Sequence, residues 1–289
     1  MALGAGAVGL LLARVLLVGA ERVLLRRLGA GRPAGEAAAV FFGVGALVLL
    51  PVAAPWANRD WRFLAWAAPA GLVYAAAYWL YVLALAQGEV SRVAPLASLG
   101  AVFVVLLAAW RLGEPLTAAK LVGAVLIAAG SAWLQRPEPG APRPSARAAA
   151  AMLAYAALTA ATRMLDKAHA ARFPAHGALY AWVVFSEVTL AQLALEALRG
   201  GLAGPWRLVR ARPTMALAAG AANGGSFLLL LACLAAWPVS VAEPATALSL
   251  LVTAWLAHRW LGEPIRARLG ATAAVVVGTW LLVVGGARG

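Results

Sequence analysis

Roughly ten apolar runs, each about twenty residues long, follow one another with only short polar breaks between them. They lie near 3–24, 36–55, 64–86, 92–110, 117–134, 148–169, 178–197, 214–236, 240–258 and 265–285. A run of about 20 apolar residues spans a hydrocarbon layer roughly 30 Å thick as a helix. Hydrophobic residues make up 64% of the 289 positions and charged residues 12%. A water-soluble domain of this length could not bury that much apolar surface, because its interior is bounded by surface-to-volume scaling. The expected fold class is therefore an all-α, polytopic membrane protein with ten transmembrane helices.

The breaks carry turn chemistry: Asn58, Arg59 and Asp60; Arg111-Leu112-Gly113-Glu114-Pro115; and the stretch from Gly200 to Pro213. The longest, rich in Pro and Arg, falls at the midpoint and reads as a linker over 136–147, between units at 1–135 and 148–289. The two units repeat one another. Ser91 and Pro95 recur at a constant offset as Ser240 and Pro244, Gly71 as Gly220, and Leu112-Gly113-Glu114-Pro115 as Leu261-Gly262-Glu263-Pro264. At a slightly shorter offset, Glu21-Arg22 and Arg27 recur as Asp166-Lys167 and Arg172. Five spans per unit is odd, so the second copy enters the membrane from the opposite face. Two inverted five-helix repeats place a site at the midplane between units that can rock, an arrangement common in secondary transporters.

The pattern Ser91-x3-Pro95, an apolar span, Leu112-Gly113-Glu114-Pro115, then a span holding Gly123 and Gly130 resembles EamA-type repeats of the drug/metabolite transporter superfamily. The second copy, with Ser240, Pro244, Glu263-Pro264 and Gly278, is similar, and the resemblance covers essentially the whole chain. It implies a five-plus-five helix carrier of small metabolites and leaves the substrate open. One departure is that Gly270 lies a residue too far from Gly278 to match the Gly123–Gly130 spacing, so packing of the last span is expected to differ. Read physically, Glu114 and Glu263 are expected to bond helix ends at opposite faces of the membrane.

Ionisable groups within spans are costly and so are functional candidates. Arg14 and Glu21 share a face of the first span; Tyr155, Thr159, Thr162 and Asp166 line one face of the sixth, with Arg163 alongside. Glu21/Arg22 and Asp166/Lys167 have two readings, cavity lining and snorkelling at helix ends. Tyr74, Tyr78 and Tyr81 share a face of the third span; its counterpart carries Asn223 and Ser226 beside Gly224-Gly225. The expected substrate-binding set is Arg14, Tyr74, Tyr78, Tyr81, Tyr155, Thr159, Asn223 and Ser226. Glu21, Asp166, Glu187 and Glu243 are the candidates for coupling or gating. Glu243 heads a stripe with Thr246, Ser249 and Thr253, and also reads as a helix-start acid favoured by the macrodipole. Glu187 and Glu196 lie on different faces of the seventh span.

Other chemistries find no support. Cys233 is the single cysteine, so no disulfide or cysteine metal cluster forms within the chain. His169, His176 and His258 lie at loop edges without ligand spacing and read as solvated. No phosphate-cradling Gly-Lys-Ser/Thr loop occurs, so ATP drive is not expected, and no Ser/His/Asp grouping stands out, so neither is enzymatic activity; no metal or cofactor is expected. The net charge of +13 comes from arginines that punctuate the apolar runs, which speaks for topology over nucleic acid. Arg14 follows the apolar start, unlike the charge order of a cleavable signal. Trp56, Trp61, Trp110, Trp237 and Trp260 flank spans as an aromatic belt would. The breaks after odd-numbered spans are richer in Lys and Arg, which places them in the cytoplasm and both termini outside. The expectation is a multi-pass protein of the inner (cytoplasmic) membrane that exports an amino acid or similar zwitterionic solute by alternating access. Its partners are the solute and the bilayer, with protons the candidate coupling ion and a homodimer the candidate assembly. A lipid-linked head-group flippase and a non-transporting scaffold are the rival readings.

Overall fold

The computed structural model describes residues 5–56, 61–87, 96–97, 99–134, 145–261 and 269–287. Asn58 to Asp60, Ser91, Pro95, residues 136–144 of the expected linker and Gly262 to Arg268, with Glu263 and Pro264, lie outside them. Every regular element among the described residues is helical. The first half holds α1 (Ala5–Leu28), α2 (Ala34–Ala53), α3 (Trp61–Gln87), α4 (Gly100–Leu112) and α5 (Ala118–Leu134). The second holds α6 (Ala146–Arg172), α7 (Gly177–Leu198), α8 (Ala203–Ala211), α9 (Pro213–Ala236), α10 (Val239–Ala245), α11 (Ser249–Leu261) and α12 (Leu269–Ala287).

Among the described residues, six segments are long and apolar enough to cross a membrane: α2, most of α3, α6, α7, α9, and α10 with α11 taken together. The apolar helices α4, α5 and α12 are shorter, and α1 carries Arg14, Glu21, Arg22, Arg26 and Arg27. Large apolar side chains face outward along these helices, among them Leu47, Leu72 and Leu190. In water such a surface would aggregate; against lipid chains it needs no cover. Two expectations fail here. The break from Gly200 to Pro213 is largely helical, because α8 buries Pro205 and Leu208 while Trp206, Arg207 and Arg210 stay outside. The ninth run is divided. Pro244 has no N–H to offer the Ser240 carbonyl, its ring crowds that carbonyl, and the chain tightens into a 3₁₀ turn over Thr246–Leu248.

Helices pack across the halves. α1 lies on α9 and α11, α6 on α3 and α4, α2 on α7, α3 on α7, α9 on α2, and α5 on α12. Glycines permit the last contact. A Cβ on Gly123 would lie 2.6 Å from the Gly278 carbonyl oxygen, and one on Gly278 would lie 2.6 Å from that of Gly123. Gly270 instead faces the Trp133 ring. Helix ends are tied by side chains from the other half or from a neighbouring helix. Gly113 closes α4 at φ +67°, a left-handed conformation that favours glycine. Glu114 then accepts from the backbone N–H groups of Val239 (2.8 Å) and Ser240 (3.1 Å) and from the Ser240 hydroxyl, which is the helix-end role expected of it. Lys167 donates to the carbonyls of Leu234 and Trp237 at the end of α9. Arg212 donates to those of Arg27 and Leu28 at the end of α1.

Two sequence readings are corrected at this level. Trp237 is 4% exposed, with its indole N–H aimed at the Ala7 carbonyl, so it packs in the interior and takes no place in a belt. His169 is 1% exposed and stacks on the Tyr180 ring at 3.8 Å, boxed by Phe63 and Phe173; it is a core residue.

Candidate functional site

The polar stripes of α1, α3, α6, α7 and α10 meet in one buried network. Asp166 on α6 is fully enclosed. Its Oδ1 accepts from the Tyr180 hydroxyl at 2.7 Å; its Oδ2 accepts from Tyr74 at 2.6 Å and from Arg163 Nη1 at 3.0 Å. Arg163 Nη1 also donates to the Tyr74 hydroxyl. Its Nε lies 2.8 Å from Glu243 Oε1, and the other Glu243 oxygen accepts from Arg14 Nη2 at 2.6 Å. Glu243 is thus held between two guanidinium groups, one from each half of the chain. Two cations and two anions nearly balance, which is what allows charges to sit in a low-dielectric interior.

Local sequence explains each placement. Arg163 and Asp166 are three apart on one helix and therefore share a face. Tyr74 lies on the face of α3 that packs on α6. Glu243 comes immediately before Pro244, in the short helix that the proline separates from α11.

A second, related arrangement sits on α1 and α9. Glu21 accepts from the Ser226 hydroxyl, which also lies 3.0 Å from the Asn223 carbonyl. So Glu21 on α1 meets a hydroxyl of α9, as Asp166 on α6 meets a hydroxyl of α3. Beside the network, Tyr78, Tyr81 and Tyr155 form an aromatic group: Tyr155 lies 5.0 Å from Tyr81 and 6.0 Å from Tyr78, and Tyr78 stands edge-on to Phe42 at 4.4 Å. Thr159 is half-buried one turn from both Tyr155 and Arg163 on α6.

Several donors in this centre are buried without an acceptor among the described residues: Nε and Nη1 of Arg14, and the amide nitrogen of Asn223. Arg14 is 4% exposed and Asn223 6%. Glu187 stands apart. Its carboxylate lies against Gly71 on α3, where a Cβ would come within 2.0 Å of it, and its buried Oε2 has no hydrogen-bond partner among the described residues. Glu196 faces Gly35 on α2 and pairs with Arg199 at 3.1 Å.

Sequence reasoning misses three of these placements. Arg163 reads only as a cation alongside a polar face, although its i, i+3 spacing to Asp166 is visible in the sequence. Lys120 stands at the polar start of an apolar run and is nonetheless 1% exposed within α5. Tyr180 carries no periodic signal at all; only the packing of α7 on α3 brings its hydroxyl to Asp166. The described residues contain no group of three or more His, Cys, Asp and Glu side chains placed to hold a metal ion.

No curated protein matches the sequence. One solved crystal structure of a protein superposes with a TM-score of 0.77 over 98% of this chain and 98% of its own at 19% identity, a likeness that concerns the fold alone. Residues 5–135 match the EamA-like transporter family. In its first half, then, the chain is similar to the EamA-like transporter family.

Proposed function

We propose that this chain is a secondary carrier that exports a small carboxylate-bearing solute, such as an amino acid, by alternating access across the inner membrane. The observation that carries the proposal is Glu243, shared between Arg14 of the first half and Arg163 of the second. A carrier needs charges that hold its halves together and can exchange partners with a solute. Arg14 has two buried N–H-bearing nitrogens without an acceptor among the described residues, so it can keep Glu243 while it takes a carboxylate. The tyrosines and Asn223 supply neutral donors around it.

The architecture in this reading is ten crossings in two inverted units, divided near residues 136–147. Support comes from packing. α1 on α9 has its counterpart in α6 on α3, α1 on α11 in α6 on α4, and α2 on α9 in α7 on α3. The family match that stops at residue 135 fits the same division. Proton coupling, through Glu243 or Asp166 exchanging between arginine and proton, belongs to this proposal; Glu187, which faces Gly71 and has no bond into the network among the described residues, takes no part in it.

A permanently packed scaffold is favoured by one feature, the burial of Arg14 in an ion pair. Efflux from cells with and without the gene, followed by uptake into proteoliposomes under an imposed pH gradient, separates the two. A carrier moves a defined solute and takes it up with lower apparent affinity in Arg14→Ala, while the protein stays folded. A scaffold moves nothing in either form.

A further inference from the structure

The ion pairs of the charged centre run, among the described residues, from Arg14 through Glu243 and Arg163 to Asp166, and Glu21 is outside them. Glu21 accepts instead from the Ser226 hydroxyl on α9. One such bond leaves a carboxylate with acceptor sites to spare. Arg22, the next residue, stands about 100° further round the helix and is exposed. Asn223 shares a face of α9 with Ser226, is 6% exposed, and keeps an amide nitrogen without an acceptor among the described residues. A second polar site therefore faces α1, carrying the opposite charge to Arg14.

Arg14, Leu17 and Glu21 are spaced i, i+3, i+7 and line one face of α1. That face lies on α9, where Leu17 comes against Gly225; a Cβ there would stand 3.0 Å from the leucine side chain. The order along the face is cation, apolar, anion. Side chains on a helix lean the same way, so seven residues put the two charged groups about 10 Å apart. Each ion pair takes up about 2.8 Å, so a solute that bridges them carries its own charges roughly 5 Å apart. An α-amino acid holds its ammonium nitrogen only about 2.5 Å from its carboxylate carbon. A chain of about three or four methylenes between the two supplies the longer span and lays its apolar part on Leu17. Resting on the carrier reading, in which Arg14 takes the solute carboxylate, we infer that Glu21 binds the solute ammonium and that the solute is an ω-amino acid, its ammonium at the end of a short carbon chain.

The test is uptake by proteoliposomes that contain the full chain, unaltered or as Glu21→Gln, with three solutes: 4-aminobutanoate, its isomer 2-aminobutanoate, and butanoate. The first two differ only in where the amine sits, and the third has none. The unaltered chain is expected to prefer 4-aminobutanoate to each of the others by about tenfold or more in apparent affinity. In Glu21→Gln that preference should shrink to about threefold or less. An unaltered chain that does not prefer 4-aminobutanoate, or a preference that survives Glu21→Gln, would overturn the assignment and leave the carrier reading standing. Movement of no solute by either protein would overturn both. Should Glu21→Gln not fold, thermal unfolding of the unaltered chain in detergent, with the three solutes at equal concentration, still decides. The largest rise with 4-aminobutanoate upholds the assignment, and equal rises overturn it.

Discussion

Asp166 accepts three hydrogen bonds in a site closed to solvent, and removing any one of them leaves a defined residual partner set. Tyr180→Phe deletes a single neutral donor and should lower unfolding stability by about 1 kcal/mol. Asp166→Asn leaves Arg163 with Glu243 as its one carboxylate partner among the described residues, which it already shares with Arg14, and should cost roughly 3–5 kcal/mol. Chemical unfolding in detergent micelles measures both, and equal costs would contradict the geometry. At this scale the sequence was partly legible. Arg14, Tyr74, Asp166 and Glu243 stand out as polar groups in apolar runs, and all four lie in the network. Tyr180 could not be found that way, because its role depends on where α7 packs on α3. Glu187 stands out equally well in sequence and shares a face of α7 with Tyr180, yet it lies two turns further along the helix, against Gly71.

Among the elements, α5 and α12 approach through Gly123 and Gly278. Gly123→Val would drive a branched side chain into a backbone carbonyl and should destabilise by about 1–3 kcal/mol. Even a single methyl group lacks room at this contact, since a Cβ would meet the Gly278 oxygen at 2.6 Å. Thermal unfolding of Gly123→Val beside Val122→Ala, an exposed neighbour, measures the difference. Helix positions were largely readable from apolar runs of spanning length. The helix α8 was not, because its polar outer face and its Pro205 resemble a loop in sequence, and only burial of Leu208 shows that it packs. The interruption between α10 and α11 was also hidden: Pro244 can begin a span as readily as break one, and tertiary contacts decide which.

For the whole molecule, inversion makes a topological prediction. Arg212 ties the start of α9 to the end of α1, and Lys167 ties the end of α9 to α6. The turn near Arg32 and the turn near Ala175 therefore sit at opposite ends of a helix roughly 36 Å long. Single cysteines placed at Arg32 and at Ala175, in a Cys233→Ala background, should be labelled by an impermeant maleimide from opposite sides of the membrane. Labelling from the same side would refute the inverted arrangement.

The most direct measurement is solute uptake by proteoliposomes that contain the unaltered chain or Arg14→Ala, using a panel of amino acids and their decarboxylated amines. The expected result is uptake of a carboxylate-bearing solute, with none of its amine, and a fall in apparent affinity of about ten- to a hundredfold in Arg14→Ala. Equal uptake by both proteins, or uptake indifferent to the carboxylate, would contradict a site built on Arg14 and Glu243.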